Sequence, residues 1–410
     1  MNKLLNKVLK ENKLDKSHTK NVMKIVDEVI KKINTNLKKH KYQAQVMLGG
    51  SAAKGTFLKS FDCDTFIRFN LKYAEKDISK MLGKVLKPLK PKLVHGSRDY
   101  FQLKYKNVEF EFIPVLKVTN PQQALNVTDC SPLHVSWVKN HLNQKLKNEV
   151  LLAKLFCKSI GVYGAESYIK GFSGHTLDIL TIYYKSFQNL LKHAVLWGFG
   201  TEIDIEKHKT KLNKNKLGPL IIIDPVQPER NAAAALSKEK LNHFQIKARE
   251  FLDNPTEEFF KVKKFSLNKI KNKQSKDIIL TLLKVTALSG KQDIVGSKLL
   301  KAFEFIEKQI KVNNFTLYES GWYWNKKKIA YFWFITKKET LSETFVRQGP
   351  STSMKSRVKS FKAKHKSTFI EKGRIYANVK RPYRNINNLI KDLNKHVYVK
   401  ERVKNDIILL

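Results

Sequence analysis

The segment from Val46 to Phe69 constrains the fold most, because strand, turn and charge patterns follow one another within it. It reads VMLGGSAAKGTFLKSFDCDTFIRF: an apolar strand-like run, a Gly-Gly-Ser turn, and a second strand that begins with Asp62 and Asp64. Successive side chains in a strand alternate between faces, so both carboxylates are expected on one side of a sheet. The order of strand, turn, short helix and strand places the turn and the carboxylates at one end of that sheet.

The turn and the two carboxylates together predict a site for a divalent metal and a phosphate. Neighbouring carboxylates raise each other's pKa unless a cation lies between them, and Mg²⁺ is usually held by one or two carboxylates together with substrate phosphates. Gly49 and Gly50 allow close approach of the backbone to a ligand. Ser51 is predicted to cap a short helix, in which Lys54 adds a positive charge. Each pattern alone is common in turns and strand edges, whereas the combination favours metal-dependent nucleotidyl transfer.

A third carboxylate is expected from a hairpin predicted in residues 100–114. Its second strand presents Glu109 and Glu111 on the face opposite the aromatic side chains. Two-metal chemistry favours a third acidic ligand, so Glu111 is predicted to join Asp62 and Asp64. For Glu109 the prediction is an exposed strand glutamate that faces solvent.

A glycine-rich loop, residues 161–175, separates two predicted helices. Lys154 and Tyr163 lie near this loop and would suit a triphosphate tail, and His134 could assist them. Loops of this kind usually only connect helices, and a single histidine is more often structural. Arg230 follows an apolar run and is either a salt-bridge strut or a planar hydrogen-bonding edge for a base. Spacing alone leaves both interpretations open.

The charge of the chain predicts a polyanionic partner. Its 410 residues include 79 Lys and Arg against 36 Asp and Glu, a formal net charge of +43. Such an excess repels itself, so nucleic acid is the natural partner, although lysines that merely solvate the surface would explain part of it. The densest basic run lies near the C-terminus, and the residues predicted to contact RNA phosphates are Lys355, Arg357, Lys359 and Lys362.

Membrane and secretory features are missing from the sequence. No apolar run reaches the roughly 18 residues of a membrane span, and the basic start lacks a signal-peptide core. Cys63, Cys130 and Cys157 are odd in number and widely spaced, which argues against disulfides or a Cys-based zinc site. The sequence predicts a cytoplasmic protein with reduced cysteines and no membrane association.

Beyond the first sheet, apolar periodicity predicts mainly helices, followed by alternating strands and helices. Helices are expected at residues 18–37 with Ser17 as N-cap, and at residues 75–86, 148–159, 179–191 and 232–251. From Phe265 onward a strand, a helix and a two-stranded hairpin follow, which indicates a second α/β region.

Several motifs make the chain similar to the archaeal-type, class I CCA-adding enzymes, the tRNA nucleotidyltransferases of the polymerase-β superfamily. The motifs are GGSAAK from Gly49, DCD from Asp62, VEFEFIP from Val108, SPLH from Ser131, GVYGAE from Gly161, KGFSGH from Lys170, DPVQPERN from Asp224 and RQGP from Arg347.

The resemblance implies an α+β multidomain fold. A mixed-sheet catalytic head is expected in residues 1–140, a helical neck in 141–260, and a tRNA-binding α/β body with a tail in 261–410. In this family Asp62, Asp64 and Glu111 would hold two Mg²⁺ ions, and Arg230 would contact the base. The residues expected to bind the rest of the nucleotide are Gly50, Ser51, Lys54, His134, Lys154 and Tyr163.

The resemblance also implies the reaction: template-independent addition of C, C and A to the 3′ end of immature tRNA from CTP and ATP, with the acceptor stem bound by the tail. It leaves a homodimer open. The family often has Asp where this chain has Glu111, and Arg where it has Lys54. Two alternatives remain at this point, namely a poly(A) polymerase or oligoadenylate synthetase, and a basic RNA-binding protein without activity.

Overall fold

Five strands in the first part of the chain form one mixed sheet. In the computed structural model, which describes residues 1–58, 62–404 and 407–410, they are β1 (Ala44–Leu48), β2 (Asp62–Phe69), β3 (Lys92–Val94), β4 (Tyr100–Tyr105) and β5 (Val108–Leu116). Their order is β1-β2-β5-β4-β3, with β2 and β5 parallel and the other neighbouring pairs antiparallel. The predicted mixed sheet is confirmed.

The predicted hairpin is formed by β4 and β5. Lys106 and Asn107 at its turn have φ angles of 45° and 67°, as a two-residue type I′ turn requires. Phe110 and Phe112 of β5 are buried, with ring centroids 5.6 Å apart. Because side chains alternate along a strand, the glutamates between and before these rings point to the opposite face.

Four helices belong to this part: α1 (Asn2–Asn12), α2 (Lys16–Lys39), α3 (Gly50–Lys54) and α4 (Ile78–Leu86). The buried stripe of α2, which includes Val26, Val29 and Ile33, packs in the same core as the inner sides of α4 and the sheet. The predicted N-cap of α2 was wrong. Asp15, not Ser17, caps the helix, because its carboxylate accepts a hydrogen bond from the His18 N–H.

A helical region follows the sheet in the chain. It contains α5 (Ser131–His141), α6 (Gln144–Ser159), α7 (Gly174–Tyr184), α8 (Phe187–Ala194), a short parallel pair of β6 (Thr201–Ile203) and β7 (Leu220–Ile222), and α9 (Lys238–Asp253). Its core is rich in phenylalanine: Phe156 contacts Phe187, Phe244 and Phe251 at ring-centroid distances of 5.6 to 5.9 Å.

Two predicted helices differ from the structure in this region. Residues 179–191 are not one helix, because Lys185 adopts φ of 63° and the Ser186 side chain caps a new helix, α8. The helix predicted from residue 232 begins only at Lys238. The alanines before it form turns, in which the Ala232 N–H donates to the Ile222 carbonyl at 2.8 Å instead of entering a helical ladder.

The remaining residues form a second unit. Its helices are α10 (Leu267–Lys271), α11 (Gln292–Val312), α12 (Lys355–Lys364), α13 (Ile386–Lys395) and α14 (Val397–Lys400). Its strands are β8 (Ile278–Thr286), β9 (Leu317–Trp324), β10 (Ile329–Lys337), β11 (Thr344–Ser351), β12 (Thr368–Glu371), β13 (Arg374–Lys380) and β14 (Ile408–Leu409). They form two antiparallel sheets, β14-β8-β10-β9 and β11-β13-β12.

The chain divides between Lys263 and Lys264 into these two units. The further division of the first unit near residue 140 into a head and a neck stays a prediction. Among the helices of the described ranges, none combines the length and apolar character needed to span a membrane.

Candidate active site

Four carboxylates lie on one face where β2 and β5 run side by side. In the parallel register Asp62 lies opposite Glu109, and Asp64 lies opposite Glu111. Opposite residues share a face of the sheet, so Asp64 and Glu111 are direct neighbours across the two strands. Gln102 of β4 donates a hydrogen bond from Nε2 to Glu111 Oε1 at 2.7 Å, which helps to orient this carboxylate.

The pKa of Asp64 reflects this crowding. Burial raises the pKa, the Glu111 and Asp62 carboxylates raise it further, to about 7, and Lys54 lowers it. The Asp64 carboxylate is therefore harder to ionise than an isolated one, and a divalent cation bound here would compete with the proton. Clustered carboxylate oxygens suit a hard divalent cation, so the residues present fit such a metal.

The glycine turn is shaped by its contact with Asp64. Gly50 has φ of +51°, and a Cβ at this position would lie 1.6 Å from Asp64 Oδ2, so glycine is required here. The Gly49 N–H donates to the Asp64 carbonyl at 2.8 Å and ties the turn to β2. The capping role predicted for Ser51 was wrong: Gly49 is the N-cap of α3, and Ser51 lies within its first turn.

A cavity of about 340 Å³ opens beside the carboxylates and the turn. Glu111, His134 and Arg230 are not among the residues described in the wall of this cavity. The predicted site residues in the wall are Gly50, Ser51, Lys54, Asp62, Asp64, Lys154 and Tyr163.

Two lysines of the cavity share one buried carboxylate. Lys54 Nζ lies 2.7 Å from Asp178 Oδ2, and Lys154 Nζ lies 3.2 Å from Asp178 Oδ1. Lys154 also donates a hydrogen bond to Thr56 Oγ1 at 3.0 Å. The exposed fractions of Lys54, Lys154 and Asp178 are 8%, 4% and 0%, so three ionisable groups are held in contact with little access to water.

Tyr163 closes the same cavity on the side of α7. Burial raises the pKa of its phenol, so the hydroxyl remains a hydrogen-bond donor across the neutral range. A Cβ at Gly174 would lie 3.1 Å from Tyr163 Oη, which shows how closely the start of α7 approaches the hydroxyl. Lys158 places its ammonium 5.0 Å from the ring centroid of Tyr163, a cation–π contact.

A second cluster is centred on Asp224, which is fully buried. Its Oδ1 accepts a hydrogen bond from His134 Nε2 at 2.9 Å, and its Oδ2 accepts one from Arg230 Nη1 at 2.8 Å. His175 Nε2 lies 3.7 Å from the same Oδ2. Burial would raise the pKa of Asp224, but the two histidines hold it well below the usual range, so this carboxylate is ionised.

His134, His175 and Asp224 place donor atoms within 4.8 Å of one another, an arrangement that can hold a metal ion. Here the Arg230 guanidinium already contacts the carboxylate, so the cluster is a network of charged hydrogen bonds. His134 is joined to the first cavity through His175, which lies in the wall of that cavity, with 4.6 Å between the two ring centroids.

Arg230 contacts a different cavity from the lysines. Its side chain is 51% exposed and lies in the wall of a cavity of about 460 Å³, together with Ser173. The next two residues, Gly174 and His175, belong to the wall of the first cavity. The start of α7 is therefore common to the cavity with the carboxylates and to the cavity with Arg230.

Four residues of these clusters were given no role from the sequence: Thr56, His175, Asp178 and Asp224. His175 and Asp178 stand three apart at the start of α7, on neighbouring positions of one helix face, which is a signal that could have been used. Asp224 is the first residue of the DPVQPERN motif. Thr56 carries no signal of its own, because its importance depends only on its contact with Lys154.

The basic run near the C-terminus forms α12. The four residues predicted to contact RNA, Lys355, Arg357, Lys359 and Lys362, are all exposed. No residue of α12 is buried, and Arg357 borders a cavity of about 430 Å³ together with Arg347 and Lys364. The helix thus presents positive charge to solvent.

Comparisons with known proteins first define the class of protein. Residues 30–117 match the family described as "Nucleotidyltransferase domain". Two structures of the Cid1 poly(U) polymerase, one described as "Mg 3'-dATP bound", each superpose with a TM-score of 0.50 at 14% identity, covering 64% of this chain and 98% of the other. The first unit therefore contains a polymerase-β-type nucleotidyltransferase fold.

Sequence relatives define the family within this class. Residues 148–261 match "tRNA nucleotidyltransferase, second domain", and residues 285–407 match "CCA-adding enzyme, C-terminal domain". The CCA-adding enzyme of Nanoarchaeum equitans is 36% identical over 85% of this chain and 86% of its own length. That of Methanocaldococcus jannaschii is 31% identical over 95% and 90%. The chain belongs to the archaeal-type CCA-adding enzyme family.

Proposed function

We propose that this enzyme adds C, C and A to the 3′ end of immature tRNA, using CTP and ATP without a nucleic-acid template. Its family supports this function. The single observation that supports the roles of the residues is that Asp62 and Asp64, and the buried Lys54 and Lys154, lie in the wall of one cavity. Acidic metal ligands and phosphate-binding cations are then within reach of the same nucleotide.

In this proposal Asp62, Asp64 and Glu111 hold two Mg²⁺ ions. When bound, the ions supply activation of the ribose 3′-hydroxyl and neutralise charge on the leaving pyrophosphate. The side chains themselves fix where this chemistry occurs, because Asp64 and Glu111 come from adjacent strands and Gln102 orients Glu111. Gly50 lets the turn pack directly against Asp64, so a phosphate bound at the turn would lie beside this carboxylate.

The triphosphate lies between α3, α6 and α7. Lys54 and Lys154 bind its charged oxygens, the Tyr163 hydroxyl donates to it, and Gly50 and Ser51 offer backbone N–H groups. Positioning and charge neutralisation are the main catalytic contributions of such groups. The lysine in place of the family's usual arginine still provides the charge, and Asp178 fixes its direction.

The base lies on the side of Arg230. Asp224 holds one guanidinium nitrogen of Arg230, and the half-exposed remainder presents a planar hydrogen-bonding edge. His134 contacts Asp224, so it acts on the side of the base and not with the lysines at the triphosphate. Thus the two interpretations left open for Arg230 apply together: it is a salt-bridge partner and a base-reading edge.

The tRNA partner binds the second unit, in part through α12. The logarithm of tRNA affinity falls linearly with the logarithm of salt concentration, by about 0.9 per phosphate contact. Replacing the four predicted contact residues by alanine should make this slope less steep by about 3.6. Because no residue of α12 is buried, folding should be preserved. A matched control removes four exposed lysines elsewhere in the second unit, and an equal slope change in that control would contradict the assignment. The control residues are Lys301, Lys308, Lys326 and Lys327.

Two further expectations accompany the proposal. Cys63, Cys130 and Cys157 are buried free thiols, which fits the cytoplasmic location expected from the sequence. A homodimer stays open. Both rival functions are disfavoured. The chain belongs to the CCA-adding enzymes, which argues against a poly(A) polymerase. The clustered carboxylates argue against a protein that only binds RNA.

The direct test follows nucleotide incorporation at one-nucleotide resolution on a tRNA that lacks its terminal CCA, with Mg²⁺ and single nucleotides. We expect C, C and then A, followed by arrest. Glu111→Gln should reduce incorporation by about a hundredfold or more, whereas Glu109→Gln, on the same strand and face, should change it by less than about threefold. A long A tail, or equal loss in both variants, would contradict the proposal.

A further inference from the structure

Asp178 occupies an unusual position among the buried acids of the first unit. It lies in the first turns of α7, has no exposed surface, and belongs to the wall of the nucleotide cavity. Each of its two oxygens faces a different lysine, Lys54 at 2.7 Å and Lys154 at 3.2 Å. The two lysines come from α3 and α6, so one carboxylate joins three helices.

The charges of this group do not cancel. One carboxylate faces two ammonium groups, so these three side chains together carry one positive charge, while Asp62, Asp64 and Lys158 contribute further charges to the same wall. Burial lowers the pKa of Lys154, and Asp178 opposes this shift. Burial would likewise raise the pKa of Asp178, but the two lysines keep it below the ordinary value. The arrangement is an incompletely neutralised cation pair that faces the space where an anion would bind.

We propose that Asp178 is a positioning residue for the nucleotide triphosphate. It holds the ammonium groups of Lys54 and Lys154 at the cavity wall before the nucleotide arrives, and the triphosphate then takes over part of its contacts. The inference rests on the proposed function, in which these lysines bind the triphosphate. Asp178 has no exposed surface and contacts both lysines, so it acts through them rather than on the reacting atoms.

Without Asp178 the two ammonium groups would repel each other in a buried site. Burial, Lys54 and Lys158 already lower the pKa of Lys154, and only Asp178 opposes them, so Lys154 would then lose its proton more easily and triphosphate binding would weaken. Lowering the pH would restore the proton and with it the binding. A purely structural carboxylate would instead lower stability and activity without this dependence on pH.

The test compares Asp178→Asn with Asp178→Glu and with a matched control, Asp129→Asn. Asp129 is equally buried in the first unit and pairs with Arg98, but it does not belong to the cavity wall. The measurements are thermal unfolding, KM and kcat for ATP and CTP, and binding of inorganic pyrophosphate by calorimetry, at several pH values between about 6.5 and about 9.

We expect Asp178→Asn to raise KM for ATP and CTP equally, by roughly tenfold or more, and to weaken pyrophosphate binding by a similar factor. The defect should shrink as the pH falls, and Asp178→Glu should recover most of the affinity. Asp129→Asn should lower the unfolding temperature and leave pyrophosphate affinity unchanged.

Unchanged pyrophosphate affinity in Asp178→Asn, a defect independent of pH, or the same affinity loss in Asp129→Asn would overturn the inference, even if the wild-type enzyme adds CCA. Absence of nucleotide incorporation by the wild-type enzyme would instead overturn the proposed function. The two failures are therefore distinguishable.

Discussion

Two fully buried aspartates, Asp178 and Asp224, each organise a group of basic side chains, but they do so differently. Asp178 lies on a helix and faces two lysines that are themselves buried. Asp224 lies in a loop and contacts two histidines and an arginine that is 51% exposed. A lysine is a flexible point charge, whereas an arginine is a planar fork. Asp178 with Lys54 and Lys154, here the Asp178 group, is thus suited to keeping positive charge in place. Asp224 with His134, His175 and Arg230, here the Asp224 group, is suited to fixing the direction of the arginine.

The backbone around each aspartate supports this distinction. Asp224 Oδ1 also accepts hydrogen bonds from the N–H groups of Val226 and Gln227, and the Asp224 N–H donates to the Arg230 carbonyl at 3.0 Å. The loop that carries Arg230 is therefore closed on the aspartate that holds its side chain. Asp178 has no such local role, because its partners lie 124 and 24 residues away in the chain.

The largest expected effect belongs to Asp64, because in the proposed function it is a metal ligand, and neither the residues around Asp178 nor those around Asp224 can replace it. Asp64→Asn should reduce CCA addition by about a thousandfold or more, since metal chemistry contributes several kcal/mol to the barrier. Binding of tRNA, measured by gel shift, should remain within about twofold. Activity above a few per cent of wild type would argue against Asp64 as a ligand.

The next effect separates the two aspartates. Asp224→Asn keeps the size of the side chain but removes the charge that holds Arg230, a charge-assisted hydrogen bond worth about 2 kcal/mol. We expect discrimination of CTP and ATP against UTP and GTP to fall by roughly 30-fold, with pyrophosphate affinity nearly unchanged.

The matched measurement for this prediction uses Asp178→Asn, for which the pattern should be reversed. Pyrophosphate affinity should fall there, while discrimination among the bases is kept. If both variants lost discrimination and pyrophosphate affinity to the same degree, the distinction between charge and orientation would not hold.

Much of the first sheet could be predicted from the sequence, because its signals are local. The alternation along each strand predicted that Asp62 and Asp64 share one face of β2 and that Glu109 and Glu111 share one face of β5, and the Lys106-Asn107 turn predicted the hairpin. The pairing of Asp64 with Glu111 follows from alternation once the two strands are neighbours. What could not be predicted from alternation is that β2 and β5 run parallel and adjacent.

The two buried aspartates could not be given roles, because their contacts join distant segments. His134 and Asp224 are 90 residues apart in the chain, and no periodicity connects them. Local propensity also failed where tertiary contacts compete with it. The alanine run from Ala232 favours helix, yet Asn231 Oδ1 accepts from the Ala233 N–H at 2.8 Å and holds a turn.

A smaller effect is expected for Thr56, which contacts Lys154 of the Asp178 group. Thr56→Val keeps the shape of the side chain and removes the hydroxyl that accepts from Lys154, at a cost of about 1 kcal/mol. KM for ATP and CTP should rise by about fivefold, with base discrimination unchanged. A change in discrimination would show that the two groups are coupled, and kinetics with all four nucleotides would detect it.

The smallest effect concerns the protonation of His175, which stands between the two groups. Burial lowers the pKa of His175 in the folded protein, although Asp224 opposes the shift. As the pH falls through about 6.5, the unfolded chain therefore takes up a proton that the folded chain does not, and the free energy of unfolding decreases. The loss from this one group should therefore appear only as the pH falls below about 6.5 and should be absent at higher pH.

Urea unfolding of wild type and His175→Asn at several pH values isolates this contribution, because the other titrating groups are common to both proteins. The variant should lose less stability on acidification. If its pH dependence equalled or exceeded that of wild type, His175 would carry its proton in the folded state. Asp224 would then face two cations as Asp178 does, and the contrast between the two aspartates would reduce to the shape of Arg230.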